Sequence, residues 1–210
     1  MVHTVSWDVV RYHDGGFIAD SARLVGVGTT KANLFGLSLV ADMFGSYLLT
    51  VPATVVLWRQ LRADSPHDLV DVLALGGVAY GLIGAVTAAA LATAGPPLIR
   101  QFAGGSALTS ARTVFASDIH AALGVFQIPV VLSGGTWWLG SGLLVRRRWK
   151  WFGTYSAAFG AISIGAGVLK ALGANLDLAV PATLVFAPIA IWIGWLGLCI
   201  SKGSDLTPLA

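Results

Sequence analysis

Long apolar stretches alternate with short polar breaks along this chain, and that pattern predicts membrane-spanning helices. A helix needs roughly 20 mostly apolar residues to cross a bilayer. Backbone groups inside lipid must be satisfied within the protein, which favours helices, and the uninterrupted apolar runs do not suit the alternating strands of a β-barrel. The sequence therefore predicts an all-α, integral membrane helical bundle with five transmembrane helices, at residues 34–58, 69–94, 119–145, 151–172 and 178–200.

The ends of the chain differ from this five-helix domain, which covers residues 34–203. Charged residues interrupt every apolar run in residues 1–33, so this polar N-terminal segment is expected to be either a short interfacial helix or a flexible terminus. Residues 204–210 form a C-terminal tail. Within the domain, the triplet Gly95-Pro96-Pro97 is expected to close the second stretch.

Composition supports a membrane protein and excludes several other classes. Only 11% of the 210 residues are charged, 56% are hydrophobic and the mean hydropathy is +0.77, whereas an ordinary soluble domain carries about 25% charged residues. One cysteine excludes a disulfide framework or a cysteine-rich metal site. The net charge of +3 is too small to indicate a nucleic-acid partner. The lipid bilayer is the partner that the composition predicts.

Basic residues give the expected orientation. Cytoplasmic loops carry an excess of Lys and Arg close to the membrane. The compact cluster Arg146, Arg147, Arg148 and Lys150 follows the third stretch. It predicts a multi-pass protein of the cell membrane with its N-terminus outside and its C-terminus in the cytoplasm.

Small residues recur at helical spacing and predict close helix packing. Helices in lipid associate through small side chains, because lipid tails are as apolar as leucine. Gly77 and Gly81 lie four apart in the second stretch, and Gly160 and Gly165 lie on the fourth. These residues could form a homodimer face or pack inside one bundle, and the second interpretation is favoured because a five-helix chain must bury several such faces.

A row of polar residues in the first stretch carries the clearest candidate for function. Residues four apart drift by only about 40° per step around an α helix, so this polar stripe predicts one continuous face directed into the bundle. Asp42 is an ionisable group within a span, which is a functional hypothesis by default. Alternatively, the hydroxyls bond back to their own helix and leave Asp42 as the one unusual residue. The polar stripe comprises Ser38, Asp42, Ser46, Thr50 and Thr54.

A second candidate opens the third stretch, where Asp118 and His120 are followed on the same face by Gln127. Histidine titrates near neutral pH, so a proton relay or a single metal ligand is one hypothesis. The alternative is a helix cap by Asp118 with His120 at headgroup level. A metal centre would need three or four convergent ligands, and no such set is evident. No metal and no cofactor is predicted.

Five short motifs together resemble those of a family of small bacterial polytopic membrane proteins of unknown function, usually with six spans. The resemblance covers residues 34–203, and this chain lacks a counterpart of the family's first span. It implies a helical membrane fold and no established activity. The motifs are Ala41-Asp42, Asp118-Ile119-His120, Trp151-Phe152-Gly153, Val180-Pro181-Ala182 and Ala190-Ile191-Trp192.

Three functional hypotheses follow from these residues. The first is a module that binds or transports a small molecule or protons through an inner face built from Asp42, Ser46, Thr50, His120 and Gln127. The second is a non-catalytic accessory or assembly subunit of a larger membrane complex. The third is an intramembrane enzyme acting on a lipid or quinone, with His120 and Asp118 as its acid–base pair. Whether the chain is an enzyme stays open.

Overall fold

The computed structural model of the protein describes residues 29–103, 128–172 and 182–202. Within these ranges the chain is 94% helical and has no strand, which confirms the all-α class. The helices are α1 (Thr29–Asp42), a π-helical segment (Met43–Leu48), α2 (Thr50–Asp64), α3 (His67–Ala103), α4 (Ile128–Val145), α5 (Lys150–Ala171) and α6 (Ala182–Lys202).

Four of the described helical stretches are long and apolar enough to cross a membrane, and a fifth apolar helix is shorter. The first joins α1, the π-helical segment and α2. The chain is therefore a multi-pass integral membrane protein. Residues 1–28 of the predicted N-terminal segment, the C-terminal tail and the beginnings of the third and fifth predicted helices lie outside the described residues, whereas residues 29–33 belong to α1. The spans are Ala32–Ala63, His67–Pro97, Ile128–Val145, Lys150–Leu169 and the shorter Pro188–Ser201.

A two-residue turn joins α2 to α3 and makes them an antiparallel pair. Ser65 has an extended backbone with φ −140° and ψ 159°, because the ring of a following proline disfavours helical geometry at the preceding residue. Pro66 then begins the next helical turn by accepting a hydrogen bond from the Val70 N–H at 3.2 Å. The Ser65-Pro66 dipeptide thus explains why α2 ends at Asp64.

Helix α3 continues past the Gly95-Pro96-Pro97 triplet, where the sequence predicted the span to close, and ends at Ala103. The triplet packs against α1 instead. A Cβ atom built on Gly36 would lie 2.9 Å from the Pro96 ring, and one built on Gly95 would lie 2.6 Å from Phe35. Proline is tolerated inside membrane helices when neighbouring structure compensates for the lost N–H, and the close approach of α1 supplies that support.

Helices α4 and α5 form a second antiparallel pair whose backbones almost touch. A Cβ atom built on Gly160 would lie 2.6 Å from the Gly135 carbonyl oxygen and would also clash with the Leu139 backbone nitrogen. One built on Gly153 would lie 2.6 Å from the Arg146 Cα. Only glycine fits where two backbones approach this closely.

Aromatic rings connect the helices into one core. Trp138 on α4 contacts Tyr80 on α3, with ring centroids 4.9 Å apart, and Phe159 on α5, at 4.6 Å. The indole of Trp192 on α6 donates a hydrogen bond to the Ser156 hydroxyl at 2.7 Å. These contacts place the end of α6 beside the end of α4. One end of the bundle consequently holds the ends of α2, α4 and α6 together with the beginnings of α3 and α5. We call it the basic end, because its basic residues are Arg59, Arg62, Arg146, Arg147, Arg148 and Lys150.

Substitution of Gly160 by alanine tests the close approach of α4 and α5. The added methyl group meets backbone atoms that cannot rotate away, so we expect Gly160→Ala to lower the free energy of unfolding by about 1–3 kcal/mol. Thermal unfolding in detergent measures the change. The matched control is Gly165→Ala on the same helix, where no described atom lies within 4 Å of the added Cβ. The control should be neutral or slightly stabilising, and equal losses in both variants would contradict the packing.

Candidate functional site

All five residues of the polar stripe are buried. None exceeds 5% exposure, and Asp42, the only carboxylate in the stripe, is 4% exposed. The leucines and valines on the opposite face of the same helix remain exposed, as Leu37 and Leu49 illustrate. In a membrane this arrangement turns the apolar face to lipid and encloses the polar stripe in protein.

The π-helical segment keeps the polar stripe on one face. A row of residues four apart drifts by about 40° per step in an α helix. A π helix bonds residue i to i+5 and holds more than four residues per turn, so a four-residue step through it reverses the drift. The segment begins directly after Asp42 and contains Ser46, and it shows the expected bond from the Leu49 N–H to the Phe44 carbonyl at 3.1 Å.

The hydroxyls of the stripe do not share one bonding pattern. The Ser38 hydroxyl donates to the Phe35 carbonyl at 2.8 Å, and the Thr50 hydroxyl donates to the Tyr47 carbonyl at 2.5 Å. These two residues follow the alternative in which hydroxyls bond back to their own helix. The Thr54 Oγ1 atom is different, because it is buried and has no hydrogen-bond partner in the described part of the chain.

Small residues of α3 cover the polar stripe. A Cβ atom built on Gly77 would lie 2.6 Å from the Thr54 Oγ1 atom, and one built on Gly81 would lie 3.2 Å from the Thr50 Oγ1 atom. Gly84 faces the Tyr47 ring. Two of the predicted packing glycines therefore lie within the bundle, directly against the stripe.

A pair of tyrosines lies near Asp42, which acts electrostatically on one of them, Tyr80. The Tyr47 and Tyr80 ring centroids are 5.3 Å apart, and Tyr80 lies within electrostatic range of both Tyr47 and Asp42. Tyr80 also contacts Trp138 in the aromatic core. A buried carboxyl group with phenolic hydroxyls nearby is an arrangement that can hold a proton in a protein interior.

A separate polar cluster joins α2 to α3 near the basic end. The Trp58 indole donates to the Asp71 Oδ1 atom at 2.6 Å, and the Arg62 Nη2 atom donates to the Asp71 Oδ2 atom at 3.2 Å. The Arg62 guanidinium also lies 5.2 Å from the centre of the Trp58 ring. We call Trp58, Arg62 and Asp71 the interface cluster. It holds the two helices together about one helical turn away from the Ser65-Pro66 turn that joins them.

A groove of about 320 Å³ runs between α2 and α3 beside the interface cluster. Its walls are almost entirely apolar, and two residues of the cluster and one residue of the polar stripe contribute to them. The lining residues are Thr54, Val55, Trp58, Asp71, Ala74, Leu75 and Val78.

Several predicted residues cannot be placed. Asp118, His120 and Gln127 lie outside the described residues, so the convergence of His120 with Asp42 stays a prediction. Gly165 has no described atom within 4 Å of a Cβ built on it. The described residues contain no group of three or more His, Cys, Asp or Glu side chains that could hold a metal ion.

The interface cluster and the tyrosine pair were not predicted from the sequence. In the sequence, Asp71 lies near the beginning of an apolar stretch, and a carboxylate near a helix N-terminus needs no partner to be favourable. A signal for its pairing does exist, because Arg62 and Asp71 are nearly equidistant from the Ser65-Pro66 turn and antiparallel helices bring such residues together. Tyr47 and Tyr80 offered no comparable signal, since their approach depends on the rotation of both helices.

Comparison with models of known protein families, with curated proteins and with solved structures found no match to this chain. The resemblance to the family of small bacterial membrane proteins therefore stays a prediction.

Replacement of Asp71 by alanine tests the interface cluster. The variant loses the acceptor of the Trp58 indole and the ion pair with Arg62. The ion pair contributes little because both side chains are about two-fifths exposed, at 42% and 41%. The indole–carboxylate bond should dominate, and we expect Asp71→Ala to lower the free energy of unfolding by about 1.5–3 kcal/mol.

Asp68→Ala is the matched control for thermal unfolding. Asp68 is exposed in the first turn of the same helix, so its loss removes only a helix-end interaction of less than about 1 kcal/mol. If both variants unfold at the same temperature, the interface cluster does not hold α2 against α3.

Proposed function

We propose that this protein is an intramembrane proton-binding and transport module in which Asp42 holds the proton. The observation that carries the proposal is the burial of Asp42, at 4% exposure, in the middle of a membrane-spanning helix and within a continuous polar stripe. An ionisable residue at membrane depth that faces the bundle interior is typical of a proton or ion pathway.

The chemistry of the stripe favours a proton. Burial in a low-dielectric environment favours the uncharged form of a carboxyl group, which for an aspartate is the protonated one. Ser46 lies one turn further along the same buried stripe, and Tyr80 lies within electrostatic range of Asp42, so both supply hydroxyl groups near it. Hydroxyl groups both donate and accept hydrogen bonds, so they suit a residue that alternates between protonated and ionised forms.

The packing of the stripe favours a proton over a small molecule. A Cβ atom built on Gly81 would lie 2.5 Å from Val51 and 3.0 Å from the Tyr47 carbonyl oxygen, and Gly77 approaches Thr54 equally closely. Helices this close leave little room between the stripe and α3. A proton needs no cavity, whereas a small-molecule site needs several hundred Å³.

The π-helical segment supplies the element that could move. Short π-helical segments occur frequently at functional sites, and this one begins at the residue after Asp42. Conversion of this segment to an α helix would rotate the end of the stripe relative to its beginning. Such a rotation would change which residues surround Asp42, and this change is the step that transport requires.

Proton flux through proteoliposomes tests the proposal. With an imposed pH gradient and an interior pH-sensitive dye, the wild-type protein should dissipate the gradient faster than protein-free vesicles. Asp42→Asn has nearly the same size but cannot release a proton, so we expect it to lower the flux at least tenfold. Asp68→Asn is the control, because Asp68 is an exposed carboxylate at the basic end, and it should conduct like the wild type.

A lipophilic carbodiimide gives a second readout in the same vesicles, because it modifies protonated carboxyl groups that are shielded from water. Mass spectrometry should find the modification on Asp42, declining as the pH is raised, and not on Asp68. Undiminished flux in Asp42→Asn would contradict the proposal. A wild-type protein that conducts no protons and whose Asp42 stays unmodified would also contradict it. Recovery of a stoichiometric membrane partner with that protein would then favour the accessory-subunit hypothesis.

A further inference from the structure

The turn between α4 and α5 carries the densest positive charge in the described part of the chain. Four of the five residues from Arg146 to Lys150 are basic, and the side chains of all four are exposed. Among the described residues, no acidic side chain forms an ion pair with Arg146, Arg147 or Lys150. Like charges this close repel one another, so an anion at the turn would be stabilising. We call Arg146, Arg147, Arg148 and Lys150 the basic turn.

The backbone holds the basic turn in a defined shape. The Val145 carbonyl accepts hydrogen bonds from the Arg148 N–H at 3.0 Å and from the Trp149 N–H at 2.9 Å. The Trp149 ring packs edge-on against Phe152, with centroids 6.0 Å apart, and Phe152 contacts Trp192 in the aromatic core. The backbone positions that carry the four charges therefore stay close together, unlike those of a long loop.

The length of the turn places it at the membrane surface. Only four residues separate the span that ends at Val145 from the span that begins at Lys150. A turn of four residues that leaves the hydrocarbon and returns reaches about 7 Å, which is about the depth of one headgroup layer. Leu143 and Trp151 flank the turn and are 54% and 72% exposed, as expected of side chains that face lipid and its interface. The basic side chains therefore lie beside the lipid headgroups.

The chemistry of the turn favours a lipid phosphate over a soluble anion. Clusters of about four to eight Lys and Arg residues at the end of a membrane helix attract anionic lipids, and guanidinium groups are well suited to bind phosphate. The Lys150 Nζ atom lies 6.0 Å from the centre of the exposed Trp151 ring. A cation beside an exposed aromatic ring matches the charged headgroup and the apolar chain of a phospholipid, whereas a soluble anion would use only the charge.

We propose that the basic turn, together with Trp151, is a binding surface for anionic phospholipids. Arg146 and Arg147 bind the headgroup phosphate, and Trp151 lies against the first part of the acyl chain. The surface does not depend on the proposed proton site, because Asp42 lies inside the first span. Anionic lipid bound there would hold this end of the bundle at the headgroup layer.

Native mass spectrometry of the full chain in a non-ionic detergent tests the surface. The probes are dioleoyl phosphatidylglycerol and dioleoyl phosphatidylcholine, which share the same acyl chains. Each basic residue near an anionic surface contributes roughly fivefold in affinity, so the first phosphatidylglycerol should bind at least about tenfold more tightly than the first phosphatidylcholine. Arg147→Gln should weaken phosphatidylglycerol binding about fivefold, and the double variant Arg146→Gln/Arg147→Gln should abolish the preference.

Arg59→Gln is the matched control. It removes the same charge from an exposed position at the same end of the bundle, but outside the basic turn, and should retain the preference. Thermal unfolding without lipid checks that each variant is folded. The two arginine side chains are exposed and form no ion pair within the described residues, so their replacement should leave the unfolding temperature nearly unchanged.

Ionic strength gives a test that needs no variant. Raising ammonium acetate from about 0.1 M to about 1 M shortens the Debye length from roughly 10 Å to roughly 3 Å. The affinity for phosphatidylglycerol should then fall several-fold, while the affinity for phosphatidylcholine should change little. A preference that stays unchanged at the higher concentration would overturn the proposal.

Three other results would also overturn it. The first is equal binding of the two lipids by the wild type. The second is a loss of phosphatidylglycerol affinity in Arg59→Gln as large as that in Arg147→Gln, because net charge rather than the basic turn would then set the preference. The third is equally tight binding of glycerophosphoglycerol, the same headgroup without acyl chains, because the turn would then be a site for soluble phosphates.

Discussion

The structure depends on one constraint: polar side chains within a membrane helix must be enclosed by protein. The polar stripe meets this constraint through the small residues of α3. Gly77 and Gly81 let the two helices approach until the stripe is covered, and a bulky side chain at either position would separate them. Asp42 is the residue for which this cover matters most, because a carboxyl group exposed to hydrocarbon would be far more costly than a hydroxyl.

The same contact organises the rest of the molecule. Because the stripe fixes the rotation of the first span, Tyr47 lies against Tyr80, and Tyr80 in turn contacts Trp138 at the centre of the aromatic core. At the basic end, Asp71 and its partners in the interface cluster hold the two helices together from outside the stripe. The proposed proton site and the interface cluster thus lie at two levels of one helix pair, and Thr54 lies between them along the helix.

The sequence predicted the fold class well and the site only in part. Apolar length is a direct consequence of bilayer thickness, so the helices could be located from it, and four-residue periodicity was enough to identify the polar stripe. The π-helical segment could not be predicted, because nothing in the composition of Met43–Leu48 distinguishes it from an α helix. The continuation of α3 past Pro96 could not be predicted either, since it depends on the packing of that ring against Gly36. Rules for proline describe a single helix, whereas this support comes from a neighbouring one.

The contact between the stripe and α3 is tested most directly by disulfide formation in native membranes between Thr54→Cys and Gly77→Cys, in a chain whose Cys199 is replaced by serine. The Thr54 hydroxyl and methyl groups lie 2.6 and 2.8 Å from a Cβ atom built on Gly77, so the two new side chains are within the short range that a disulfide requires. We predict rapid cross-linking of this pair. The control pair, Thr54→Cys with Val72→Cys, should not cross-link, because the side chain at position 72 is exposed on the outside of α3. Absence of the first cross-link, with the cysteine at position 54 open to lipid-soluble thiol reagents, would contradict the account.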